Sequence, residues 1–228
     1  MVATTTIAAN VESLRTRIAA AAGRAGRDAS AIRLVAASAM SKGVTNEMVL
    51  AALDAGVRDF GENYVQEAHL RINDLGKRAL EANWHFIGHL QSNKAAIAAA
   101  LFDTIESVDS LKLAQALSRR AEKPLRILLE VNVAGEASKY GLAPSEVAAV
   151  VEAMGALPNI DLVGLMTMAP EVDDAEQTRP VFGELRRLAE ANGLRELSMG
   201  MTNDFEVAVE EGATMVRIGR ALFAGRAR

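Results

Sequence analysis

Ile7, Val11, Leu14 and Ile18 fall four, three and four residues apart, so the chain is predicted to open with an amphipathic helix reaching about Arg24. From there the texture changes to short apolar runs alternating with helical stretches. Strands are predicted at 32–38, 57–61, 84–87, 104–108, 125–133, 160–166, 196–198 and 215–218. Helices are predicted at 45–55, 65–80, 93–101, 111–122, 144–154, 175–192 and 205–211. The punctuation agrees: Thr45 sits at an N-cap, Pro144 in a first turn, and Gly56, Gly193 and Gly212 just past helix ends. Strand–helix alternation implies parallel pairing through right-handed crossovers. Eight such units in 228 residues match a (β/α)8 TIM barrel with an extra N-terminal helix. A doubly wound open sheet is the competing fold, but it usually carries fewer strands in this length. No Ser/Pro/Gly-rich break interrupts the series, so 1–228 is expected to be one domain.

Composition narrows the function classes. Hydrophobic residues make up 50% and charged residues 24%, which excludes a disordered chain. Lys plus Arg number 25 against 29 Asp plus Glu, a formal charge of −4, so no basic face for nucleic acid is expected. Cysteine is absent, which removes disulfides, iron–sulfur clusters and thiol catalysis together. The N-terminus lacks the basic n-region and apolar stretch of a signal peptide. Apolar runs such as 95–102 fall far short of the ~18–20 residues needed to cross a bilayer. The expectation is a cytoplasmic protein with no membrane partner.

In a (β/α)8 barrel the active site lies at the C-terminal ends of the strands. The candidates are therefore Ser38-Ala39, Glu62-Asn63, Gly88-His89, Asn132, Met166-Thr167, Ser198-Met199-Gly200 and Arg217-Ile218-Gly219. The loops after strands seven and eight commonly bind phosphate in this fold. Here they offer two glycines, the Ser198 hydroxyl and the cations Arg217 and Arg220. Two glycine turns and a basic C-terminus would read the same way. His85 and His89 are four apart, but on a strand entering a turn, where that spacing loses its metal-binding meaning, so no metal is expected. Gly-x-Gly-x-x-Gly, Walker and Gly-x-Ser-x-Gly motifs are all absent.

Taken together, the strand-end segments resemble one family over nearly the whole chain. They are Leu34-Val35-Ala36-Ala37-Ser38, Phe60-Gly61-Glu62-Asn63-Tyr64-Val65-Gln66-Glu67 and Trp84-His85-Phe86-Ile87-Gly88-His89-Leu90-Gln91-Ser92-Asn93-Lys94. Asn132 with Ser138-Lys139-Tyr140-Gly141, Gly164-Leu165-Met166, Leu197-Ser198-Met199-Gly200-Met201-Thr202-Asn203-Asp204 and Val216-Arg217-Ile218-Gly219-Arg220-Ala221-Leu222-Phe223 complete the series. This is similar to the pyridoxal phosphate homeostasis proteins, whose barrel is like the N-terminal domain of alanine racemase. The resemblance implies a pyridoxal 5′-phosphate-binding protein acting in vitamin B6 and amino-acid/keto-acid balance. It implies no turnover, and the partner is the small-molecule cofactor; a monomer or weak dimer is expected. It implies that Ser198, Met199, Gly200 and Gly219 cradle the phosphate, with Arg220 at its edge. Arg217 would face the pyridine nitrogen and keep it unprotonated, weakening the ring as an electron sink. Asn63 and Met166 would line the ring, although core packing explains Met166 equally well.

One position departs from the pattern. Where the family has Ser-Lys after the first strand, with the lysine forming an imine to the cofactor aldehyde, this chain has Ser38-Ala39. Alanine has no amine, so binding would be noncovalent. With the surrounding residues intact, position 39 reads as a lysine replacement, an engineered one rather than natural drift. Lys42, three residues on, is the nearest substitute. The alternative function is a racemase-like enzyme inactivated at position 39, whose two-faced acid/base chemistry needs that lysine and an opposing tyrosine. Only Tyr64 and Tyr140 are present. A barrel that merely binds a partner protein is the third reading.

Overall fold

A computed structural model describes residues 2–38, 43–136 and 138–223. Ala39 and Lys42 lie outside the described residues. The elements in order are α1 (Val2–Arg24), β1 (Arg33–Ala37), α2 (Asn46–Asp54), β2 (Asp59–Glu62), α3 (Val65–Leu75), β3 (Asn83–Phe86), α4 (Ala95–Leu101), β4 (Thr104–Val108) and α5 (Leu111–Ser118). There follow β5 (Leu125–Glu130), α6 (Val147–Met154), β6 (Ile160–Met166), α7 (Arg179–Ala191), β7 (Glu196–Ser198), α8 (Phe205–Glu210), β8 (Met215–Ile218) and α9 (Arg220–Phe223).

The strands pair in parallel in sequence order, and β8 returns to β1 with Arg33 opposite Met215 and Ala36 opposite Ile218. That last pairing closes the barrel and excludes the open sheet. The N-terminal helix covers the β8–β1 seam, packing on α2, α8 and α9 through buried Ile7, Val11, Leu14 and Ile18.

Several boundaries differ from expectation. The helix predicted to run to Leu80 ends at Leu75, where Gly76 turns with φ 56° into a tight 3-10 stretch over 76–81. The fifth strand stops at Glu130 rather than Val133. The Asn132 side chain ties the following loop instead, giving its Nδ2 to the Glu136 carbonyl and accepting the Glu136 N–H. Thr45 occupies the N-cap of α2 without a capping side-chain hydrogen bond.

Period-two alternation, interrupted by register shifts at β4–β5 and β5–β6, sorts most apolar strand residues between two cores. Leu34, Ala36, Phe60, Trp84, Phe86, Ile105, Ile127, Leu129, Leu165, Leu197, Val216 and Ile218 face the helices in the large outer core. Val35, Leu128, Met166 and Met215 form a small apolar cluster inside the barrel. The remaining inward positions are polar: Asp59, His85, Glu106, Glu130, Ser198 and Arg217 are all buried.

Removing packing at the seam should be costly. Leu14→Ala is expected to lose about 2–5 kcal/mol in urea unfolding. Arg17→Ala, which breaks a half-exposed pair to Glu206, should lose under about 1 kcal/mol.

Candidate functional site

The inward polar residues join into one hydrogen-bonded chain. At the N-terminal end of β2, Asp59 Oδ1 lies 3.0 Å from His85 Nε2, and His85 Nδ1 lies 2.6 Å from Glu106 Oε1. The other Glu106 oxygen accepts the Ser198 hydroxyl at 2.5 Å, and Ser198 Oγ in turn accepts from Arg217 Nη1 at 2.6 Å. Arg217 Nη2 donates to the Thr167 carbonyl at 2.8 Å. The chain thus runs through the barrel to the strands' C-terminal end and fixes the Arg217 guanidinium at the floor of a cleft.

Burial alone would lower the His85 pKa. The hydrogen bonds and charges of Asp59 and Glu106 outweigh it and push His85 from 6.5 up to about 9. Glu106 would be raised by burial, but its bond to His85, that charge and Arg217 hold it below the usual carboxylate range. His85 is therefore an imidazolium at neutral pH, donating from both nitrogens.

Above this floor lies a cleft of about 590 Å3 walled by Lys139, Met168, Met201, Thr202, Asn203, Arg217, Gly219 and Arg220, among others. An inner pocket of about 230 Å3 shares Met168, Met201 and Arg217 with it and reaches Asn63, His89, Glu130 and Tyr140. Two glycines make this shape. Gly200 turns with φ 91°, and a Cβ there would sit 2.5 Å from Ala208 Cβ. Gly88 carries the Asn63 loop so closely that a Cβ would lie 2.3 Å from the Asn63 carbonyl oxygen.

Of the residues singled out from sequence, Asn63, Arg217, Gly219 and Arg220 meet at this opening. Three others are placed differently. Ser198 is fully buried with its hydroxyl committed to Glu106 and Arg217, so it has no proton left for a phosphate. Met199, one residue on, must point outward; it is in the outer core and its N–H donates to the Met215 carbonyl. Met166 packs on Val35, Leu128 and Met215 in the apolar cluster beneath, while Met168 and Met201 form the wall. Beside the Ala39 position, the Ser38 hydroxyl is 2.5 Å from Glu62 Oε1, which also lies 2.8 Å from Arg71 Nε.

Thr202 lines the cleft instead, its hydroxyl oxygen accepting the Ala221 N–H at the first turn of α9. With Gly219 and Arg220 it sits in the loops after strands seven and eight, where this fold commonly binds phosphate. Sequence reading passed over Glu106 and Glu130. A signal existed: each is an acid on a strand predicted to be buried, which a buried strand tolerates only with a function or partner.

The pH dependence has a defined sign. His85 has its folded pKa raised, so its contribution is complete below about 6.5 and is lost as pH climbs through about 9. The urea midpoint should fall over that window by the equivalent of about 3 kcal/mol, and His85→Gln should flatten the fall.

With this geometry in place, comparisons with known proteins are informative. The family model of the alanine racemase N-terminal domain matches residues 5–227. A protein of Pseudomonas aeruginosa named pyridoxal phosphate homeostasis protein is 46% identical, covering 97% of this chain and 96% of its own length. The structure of PipY from Synechococcus elongatus with PLP bound superposes with a TM-score of 0.82 at 33% identity, covering 96% of this chain and all of PipY. Alanine racemase from Corynebacterium glutamicum shares the fold, with a TM-score of 0.73 at 19% identity over 63% of that longer chain. A barrel closed in this order, with an arginine-floored cleft at its C-terminal end and this level of identity over its full length, belongs to the pyridoxal phosphate homeostasis protein family, built on the alanine racemase N-terminal fold.

Proposed function

We propose that this chain is a pyridoxal 5′-phosphate-binding protein of intracellular vitamin B6 and amino-acid/keto-acid homeostasis. It works in the cytoplasm as one barrel domain over 1–228, as a monomer or weak dimer, and holds its ligand without a covalent bond. The observation that carries this reading is the cleft lined by Thr202, Gly219 and Arg220 beside a fully buried, doubly anchored Arg217. A phosphate would lie on Thr202 and Gly219, with Gly200 shaping the turn and Arg220 at the edge. Arg217 would meet the ring nitrogen. A guanidinium stays charged at any accessible pH, so it donates to that nitrogen and leaves it unprotonated. Asn63 and Met201 would flank the ring. When bound, the group supplies an aldehyde that condenses with primary amines and a ring that withdraws electrons.

The residues fit the phosphate and the ring; what is missing is an amine at position 39. This supports noncovalent binding and an absence of turnover, with Ala39 standing where a lysine is expected. The racemase reading lacks support on this side of the barrel. Tyr140 is stacked on His89 at 3.7 Å between ring centroids, and Tyr64 is exposed. Among the described residues no helix is long and apolar enough to cross a membrane, and no group of three His, Asp or Glu side chains is placed to hold a metal ion.

Two experiments test this. Pyridoxal phosphate should perturb the absorbance of the present chain yet leave no adduct after borohydride. Ala39→Lys should yield a reduced adduct at position 39. An adduct in the present chain would point to another amine, Lys42 first, and absence of binding in both would overturn the proposal. Separately, Thr202→Ala should weaken cofactor binding by roughly tenfold, about 1.4 kcal/mol, as measured by calorimetry.

A further inference from the structure

Glu130 is a buried inward acid that the interior chain does not employ. The residue is only 4% exposed, and among the described residues its carboxylate has no hydrogen-bond or ion-pair partner, so that carboxylate is reached from the pocket alone. It stands at the end of β5 in the wall of the inner pocket, with Asn63, His89, Tyr140 and Arg217 around it. Among the described residues lining this pocket Arg217 is the one permanent cation, and its two Nη atoms donate to Ser198 and Thr167 rather than to Glu130. His89 sits 3.4 Å from Asp109, so its ring is turned to that carboxylate. Burial raises Glu130 to about 7, Arg217 opposing and Asp109 adding to the rise.

The burial of a carboxylate in so enclosed a pocket, with no protein donor, is offset best by a ligand that brings a cation to it. The wider cleft carries cations as well as acids. Lys139 and Arg220 line it, Asp204 is tied to the Met201 N–H, and Glu171 and Asp173 lie at its exposed lip. The connected cavity is thus suited to a phosphate at one end and a cation at the other. Ala39 removes the amine that would otherwise favour an aldehyde at this site.

We infer that Glu130 forms a subsite for a ligand ammonium, so that this chain prefers a phosphate-bearing pyridine carrying an aminomethyl group over the aldehyde or hydroxymethyl forms. This rests on the cofactor-pocket reading above and names the ligand class within it. The ammonium donates to the Glu130 carboxylate while the phosphate occupies the Thr202 and Gly219 cradle. No bond is made or broken.

Calorimetric titration with pyridoxamine 5′-phosphate, pyridoxine 5′-phosphate and pyridoxal 5′-phosphate separates the possibilities, since the three share ring and phosphate. In the unaltered chain the amine should bind at least tenfold tighter than the hydroxymethyl form. Glu130→Gln, nearly isosteric and checked for folding by its thermal melt, should bring the amine down to the affinity of the hydroxymethyl form. Equal binding of the two by the unaltered chain overturns the inference, as does a preference that survives in Glu130→Gln. If the hydroxymethyl and aldehyde forms bind and the amine gains nothing, only this inference falls. If none of the three binds, the cofactor-pocket reading falls with it.

Discussion

The pocket floor depends on a buried imidazolium. His85 lies between Asp59 and Glu106 with almost no exposure, and its positive charge keeps Glu106 ionised inside the barrel. The ionised Glu106 accepts the Ser198 hydroxyl hydrogen strongly, which orients the Ser198 lone pairs toward Arg217. Each donor direction follows from the one before it. Such a chain is stabilising only when every member is satisfied, because a half-satisfied network in a low-dielectric interior costs more than apolar packing. Its value here is geometric: a long, flexible arginine is held by two acceptors at the bottom of a cleft.

Strand parity has consequences as large as the charges. Ser198 and Met199 are neighbours, yet one faces the barrel interior and the other the helices. The same rule puts Leu128 and Glu130 inside with Leu129 outside. A residue at the correct end of the correct strand therefore reaches the cleft only if its parity is inward or if it lies in the loop beyond, as Thr202 does. Meanwhile the apolar cluster of Val35, Leu128, Met166 and Met215 lines the interior beside the ionic chain, so the barrel's interior is part greasy and part charged. The barrel holds both because closure shields its interior from water on all sides.

The strand–helix alternation, the eight-unit count and the presence of the N-terminal helix were legible from residue order. They depend on local periodicity, on glycine and proline punctuation, and on fold rules that follow from chain handedness. The absence of an amine at position 39 is likewise a matter of residue identity alone. What tertiary structure decided is which polar groups are already spoken for. Ser198 looked like a ligand donor until Glu106, ninety-two residues away in sequence, took its proton. Glu130 looked like one more strand residue until closure of the barrel left it buried, its carboxylate without a partner among the described residues. Hydrogen-bond satisfaction is a property of residues brought together from distant strands, and no local pattern in the sequence carries it.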